Sequence, residues 1–471
     1  YRIAAKKSRG VIGGGFYNYY ESMSEKTEIT AQLIEKISEQ ISQEDTAKLQ
    51  DLITDLHVAD IAEILEEISL TDAQFLYQFI AEEKSAEILV ELDDDLREDL
   101  LADLTAKEIA EEVIDNLETD DAADVIGEFS EEKQEEVLSL IEDKDHASDI
   151  SDLLTYPEDT AGGLMAKELI KVNENWNTLQ CLREMRKQAE HVKQVHTIYV
   201  VDNNDVLLGS MSLRKLLLTE TDTPIKEIIK TEIISVKATE DDEDIANIMN
   251  KYDLIVLPVV DKENKLIGRI TIDDIMDVVK EEAEKDYQMA SGISEDVEAS
   301  DSVWTLTRAR LPWLLIGMIG GMLGAEVIGI FDIRENFELA FFIPLIAAMG
   351  GNVGVQSAAI VVQGLANDSL KMDNIFQKLI KETGVGLLNG IICSLIVLAA
   401  AFGLGYGMAL SLTVSISLLA VIIFAALFGT FVPLTLEKYK IDPALATGPF
   451  ITTVNDVLGL FIYFWIGQAI L

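Results

Sequence analysis

The sequence predicts a multidomain chain: an all-α N-terminal superhelical domain, an α+β tandem pair, a connecting helix and a five-helix α transmembrane domain. Three observations carry this. The formal net charge is -46, from 83 acidic against 37 basic residues, and almost all of it lies before residue 300. Five long apolar stretches follow that point. Between the two, a strand-turn-strand-helix pattern occurs twice. So an acidic soluble part precedes a membrane part. Such acidity disfavours nucleic acid and anionic lipid as partners and favours multivalent cations. Cys181 and Cys393 lie far apart, and His57, His146, His191 and His196 are scattered, so no thiolate or histidine site is indicated. A metal here would be a hard ion held by oxygen.

Residues 1–22 (YRIAAKKSRGVIGGGFYNYYES) are basic and rich in Gly and Tyr, without the apolar core of a secretory signal. They read as a tail of unknown origin, with Met23 as a candidate natural start. The N domain is expected over 23–155, helical throughout and free of proline, with apolar residues at spacings of three and four, as in IAEILEEI, IAEEVIDNL and AADVIGEF. Similar short units of this kind stack into a small superhelix. Its acids, among them Asp93, Asp94, Asp95, Asp120 and Asp121, are expected mostly on solvated helix faces and starts.

TIYVVDNNDVLLGSMSLRKLL (197–217) recurs about sixty positions later as VLPVVDKENKLIGRITIDDIM (256–276), each copy being strand, acidic turn, strand ending at Gly, then helix. The two copies resemble a tandem pair of cystathionine-beta-synthase (CBS) domains, expected over 156–222 and 223–281. Such pairs often bind adenine nucleotides such as ATP. The resemblance implies contacts from Thr271 and Asp274 in the second copy, whereas the first copy has Lys215 where the acid would stand.

The connecting helix, 273–300, begins DDIMDVVKEEAEKDYQ. Asp273, Asp277, Glu281 and Glu284 share one face, with Asp274, Glu282 and Asp286 close by. Like charges so spaced repel by roughly a few tenths of a kcal/mol per pair, and Lys280 and Lys285 alone lie among them to compensate. A divalent ion would remove the conflict; a solvated helix would also tolerate it.

The membrane part is 301–471, with spans expected at 311–330, 339–365, 379–406, 410–436 and 448–471. Arg308 and Arg310, then Lys371, Lys378 and Lys381, then Lys438 and Lys440 mark three cytoplasmic regions. The N-terminal domains are then cytoplasmic and the C-terminus outside. The second span holds GGNVGVQSA, where Gly350, Gly351 and Gly354 permit close packing or a local break, and Asn352 and Gln356 lie four apart, facing one polar cavity or serving only as packing. The last span, GPFITTVNDVLGLFIYFWIGQAIL, carries Asp456. An acid at mid-bilayer costs roughly 2.5 to 3.5 kcal/mol on insertion scales, so Asp456 is a candidate cation site, the alternative being a protonated carboxyl or one bonded to Asn455. Asp442 precedes Pro443 at the cytoplasmic start of this helix, where an acid also favours helix initiation.

The order of parts, with YPEDTAGGLM, GGNVGVQSA and DPALATGPFITTVNDVLGL, resembles the MgtE family of magnesium channels or transporters from about Glu25 to the end. The resemblance implies a homodimer in the lipid bilayer with one central pore. It implies Mg2+ as both substrate and regulatory ligand, and no enzymatic activity. Asp456 matches the pore acid and Thr452 a pore-lining position, with Asn352, Gln356 and Asp442 in matching membrane motifs. The regulatory acids that match are Asp253, Asp274, Asp277, Glu282 and Asp286, joined by Glu87, Asp120 and Asp241, while Lys285 stands where the family commonly has another acid. In this picture the connecting helix is a plug, and Mg2+ bound between acidic faces closes the pore. The alternatives are a CBS-regulated channel or carrier for Mn2+, Co2+ or Ca2+, an anion channel, and a calcium-buffering membrane anchor. An anion channel needs cationic or helix-terminal sites at mid-membrane, and no paired catalytic acids or zinc motif suggest an enzyme.

Overall fold

A computed structural model describes residues 29–471 except 44, 81, 103, 190–191, 295–296, 298–300, 332–335, 367–374 and 447. The tail 1–22, Met23, His191 and Lys371 lie outside the described residues. The chain divides into Tyr1–Val278 and Val279–Leu471.

The first unit opens with short helices: α1 (Ala31–Ser42), α2 (Thr46–Ile53), α3 (Val58–Glu67), α4 (Leu70–Tyr77), α5 (Glu82–Glu91), α6 (Asp94–Leu101), α7 (Ala106–Glu108), α8 (Thr119–Gly127), α9 (Glu131–Leu140) and α10 (Lys144–Leu153). Polar side chains at the expected positions start many of them. Thr30, Asp45, Ser69 and Asp143 accept backbone N–H groups, and Thr105 with Glu108 forms a reciprocal capping box. Regular helix was expected throughout, yet α7 runs into a wide turn at Ile109–Val113 and a tight one at Ile114–Asn116. These bury Ile109, Ala110, Val113 and Ile114, so packing overrides the regular ladder there.

The repeats form two three-stranded sheets. In the first, β1 (Ile170–Asn173) runs parallel to β2 (Ile198–Val201), which pairs antiparallel with β3 (Leu207–Met211); α11 (Thr178–Gln188) and α12 (Leu213–Leu218) complete it. The second repeats this with β4 (Val236–Lys237), α13 (Asp242–Tyr252), β5 (Val256–Val260) and β6 (Leu266–Thr271). The acids of the turns are structural: Asp202 accepts from Asn204 and Val206, and Asp261 from Glu263 and Lys265. Gly209 and Gly268 lie inside β3 and β6 instead of ending them. A methyl on Gly268 would come within 3.0 Å of the Ala166 carbonyl, so the glycine admits the chain that crosses the strand. The helical domain and the second repeat share one apolar core, from Ile64 and Leu89 through Ile126 to Val259 and Ile270. The first repeat has its own around Val172, Cys181 and Val200.

Helix α14 (Ile272–Ala290) follows β6 directly. The second unit holds five long apolar helices: α15 (Val303–Ile330), α16 (Ile343–Ala366), α17 (Ile375–Gly403), α18 (Met408–Lys438) and α19 (Gly448–Ile470). The stretch WTLTRARLP, read as a lead-in to the first span, is already helical, and Pro312 sits inside α15. Leu418, Val421 and Ile422 of α18 pack against Ile346, Tyr463 and Phe464, which makes α18 the centre of the bundle. Large apolar side chains of α15 and α17 stay exposed, as lipid-facing residues would be.

Candidate cation sites

In α19, residues one turn apart share a face, which brings Thr452 and Asp456 together. That face meets the glycines of α16: a methyl on Gly351 would lie 3.0 Å from Thr452 Cγ2 and 3.7 Å from Asp456 Oδ1. The missing side chain lets the backbone of α16 approach the acid. Thr452 Oγ1 donates to the Gly448 carbonyl at 2.9 Å, which ties the threonine to its own helix. Asp456 is partly buried. Asn455 is 1% exposed, and neither its Oδ1 nor its Nδ2 has a hydrogen-bond partner among the described residues, so it does not bond to Asp456. Asn352 and Gln356 are exposed on one face of α16.

Near the start of α19 an acidic pair forms. Asp442 is exposed and accepts from the Ala444 N–H at 2.8 Å, the helix-start role that was its alternative reading. It also faces Asp286 of α14: burial, then Asp442 and Glu282, push the Asp286 carboxyl above its ordinary value. Glu282 pairs with Lys285 at 2.8 Å, so the lysine neutralises a candidate ligand. The end of α14 seats against the start of α19. Gly292 (φ +82°) lies over Pro449, and a methyl on Gly448 (φ +47°) would overlap the Ala290 carbonyl.

The first unit brings several carboxylates together at α8 and the start of α14. Asp120, expected as one of a solvated series, is only 8% exposed, because α8 packs its opening turn against the second repeat. Burial and the charges of Asp121 and Asp274 push its carboxyl well up. Asp121 and Asp124 are each pushed up to about 7, by burial first and then by Asp274 and Asp121 respectively. Asp274 is raised by burial, although its Oδ2 accepts both Thr271 N (2.9 Å) and Thr271 Oγ1 (2.6 Å). Asp277 is exposed on α14. The other matched acids lie elsewhere in the first unit. Glu87 pairs with Lys193 at 3.0 Å, Asp241 caps α13 through Glu243 N, and exposed Asp253 ends α13 in the left-handed region at φ 51°.

Among the described residues no group of three or more His, Cys, Asp or Glu side chains is arranged to hold a metal. The donors present are carboxylates, which suit Mg2+ bound through one or two of them and several waters. Asp121 was expected on a solvated helix start, and no pattern in the sequence singles out Asp124, Arg269 or Glu382. Glu382, which accepts from Ser357 Oγ at 2.6 Å between α16 and α17, sits among Lys378 and Lys381 and so reads as interfacial.

Family models match along the chain: the MgtE intracellular N domain at 56–159, the CBS domain at 161–219 and 225–281, and a divalent cation transporter domain at 343–466. The magnesium transporter MgtE of Thermus thermophilus is 32% identical over 442 residues, spanning 92% of this chain and 98% of that one. The chain belongs to the MgtE family. MgtE of Bacillus subtilis is 29% identical over 431 residues, 89% of this chain and 95% of the relative. A solved cytosolic domain of the Mg2+ channel MgtE in complex with ATP is 30% identical and covers 52% of this chain and 99% of that chain, with a TM-score of 0.48. The chain joins an MgtE N domain, a CBS pair and an apolar five-helix region, so it is a multi-pass membrane protein.

Proposed function

We propose that this MgtE-family chain moves Mg2+ passively into the cytoplasm through a pore at the axis of a homodimer, and that internal Mg2+ closes it. The observation that carries the reading is Asp456 on α19, beside Thr452 and the glycine face of α16. A carboxylate in a span is kept where a cation path needs it. Two such carboxylates across a dimer axis, with backbone carbonyls nearby, suit an ion that retains most of its waters. Asn352 and Gln356, exposed on one chain, then face the partner or the path. The N-terminal domains lie in the cytoplasm and the C-terminus outside.

Regulation follows from the charges. Asp120 repels Asp274, Asp286 at the far end of α14 repels Asp442, and bound Mg2+ favours the closed state by differential affinity. Glu87, Asp241, Asp253, Asp277 and Glu282 are further candidate ligands, Glu87 and Glu282 now holding lysines instead. Thr271 and Asp274 spend their polar groups on each other, and Asp274 faces acids, so a cation suits it better than the phosphates of ATP. Relatives are named as transporters, and we assign no enzymatic role.

The test is Mg2+ influx into proteoliposomes carrying an internal Mg2+ dye, for this chain and for Asp456→Ala. Influx that falls to the empty-liposome rate in the variant is expected. Equal influx in both would remove Asp456 from the path, and Mn2+ or Co2+ influx outpacing Mg2+ would change the substrate.

A further inference from the structure

Arg269 projects from β6 into the contact between the second CBS repeat and the opening turn of α8. It is 5% exposed. Its Nη2 lies 2.8 Å from Glu118 Oε2, and its Nε donates to the Glu168 carbonyl at 2.5 Å. Glu168 completes the junction from the other side: its carboxylate accepts Thr119 N at 3.1 Å and Thr119 Oγ1 at 2.7 Å. Glu118, at the cap position of α8, makes no capping bond with its own side chain. The start of the helix is therefore capped by a residue 49 positions away and neutralised by one 151 away. These bonds need no metal. The guanidinium is also within electrostatic reach of Asp120 and Asp274.

We infer that Arg269 is a built-in counter-cation that keeps α8 docked on the second CBS repeat when no divalent cation is bound. A fixed cation inside the acidic contact lowers the number of ions needed to hold it closed, because part of the repulsion is already offset. The consequence for gating rests on the regulatory reading above: closure requires less Mg2+ than it would without Arg269.

The test is hydrogen exchange by mass spectrometry on the full chain in detergent, read at α8 and, as a folding control, at α3. In EDTA the wild-type chain is expected to protect α8, and Arg269→Met to exchange there at least tenfold faster with α3 unchanged. Arg269→Lys, which keeps the charge, is expected to retain at least part of that protection. Equal protection of α8 in the wild type and Arg269→Met would overturn the inference. So would an Arg269→Lys chain no better protected than Arg269→Met, including the case in which α3 also opens in Arg269→Met. A series in Mg2+ separates this from the regulatory reading. If Mg2+ alters α8 in neither chain, that reading fails, while the comparison in EDTA still decides the role of Arg269.

Discussion

Single atoms decide the packing at the candidate pore. A methyl on Gly354 would overlap the Asn455 amide and come within 2.7 Å of Ile451, and one on Gly429 would overlap the Gly354 carbonyl. Side chains can shift where a backbone carbonyl cannot, so Gly429→Ala is expected to destabilise the membrane unit more than Gly354→Ala. Overpacking of this kind costs about 1–3 kcal/mol. Gly317→Ala, which meets nothing within 4 Å, is expected to leave the thermal midpoint in detergent unchanged or slightly raised. A fall of equal size at all three positions would mean that close packing is not what these glycines supply. The glycines of GGNVGVQSA were legible as a close-packing or breaking device, but the partner they admit was not. Nothing in a run of small residues names the helix that fills the gap. Arg269 was invisible for a related reason: its partner Glu118 is 151 positions away, and an arginine in a strand reads as surface.

At the scale of elements, α8 shows how burial converts an ordinary acidic helix start into a titrating contact. Asp121 faces Asp274, Lys193, Glu118 and Asp273, and Asp124 faces Asp121, Glu158, Arg97 and Asp274. Both carboxyls are held at about 7 in the folded protein against an ordinary 3.8. Between those values the folded state binds more protons than the unfolded one, so stability falls as pH rises. The contribution is fully present below about 3.8, is lost as pH passes through about 7, and changes little beyond that. In EDTA the thermal midpoint of the first unit is therefore expected to drop from pH 5.5 to 8. A midpoint that climbs over that interval would show the acids to be solvated. The two CBS repeats and five spans were readable because they rest on local periodicity and turn chemistry. The depth of Asp120 was not, since whether a helix start meets solvent or another domain is a property of the assembled core.

The whole molecule pairs a net charge of -46 with an apolar bundle, and α14 lies between the acidic part and the bundle along the chain. Its far end is where a charge conflict bears on the candidate pore helix, because Asp286 and Asp442 face each other beside the seat of Gly292 on Pro449. Two roles for this pair make opposite predictions. If repulsion between them unseats α14 when Mg2+ is scarce, Asp286→Asn with Asp442→Asn relieves it. That variant is expected to show lower influx at low internal Mg2+ and a flatter response to added Mg2+. If the pair instead acts chiefly by ligating the closing ion, the same variant conducts at Mg2+ concentrations that shut the wild-type chain. We expect the first outcome, since Lys285 already neutralises Glu282 and leaves few carboxylates at this end to complete a ligand set. Flux through proteoliposomes at graded internal Mg2+ separates the two: the first role lowers influx at low Mg2+, and the second leaves influx running at Mg2+ concentrations that shut the wild-type chain.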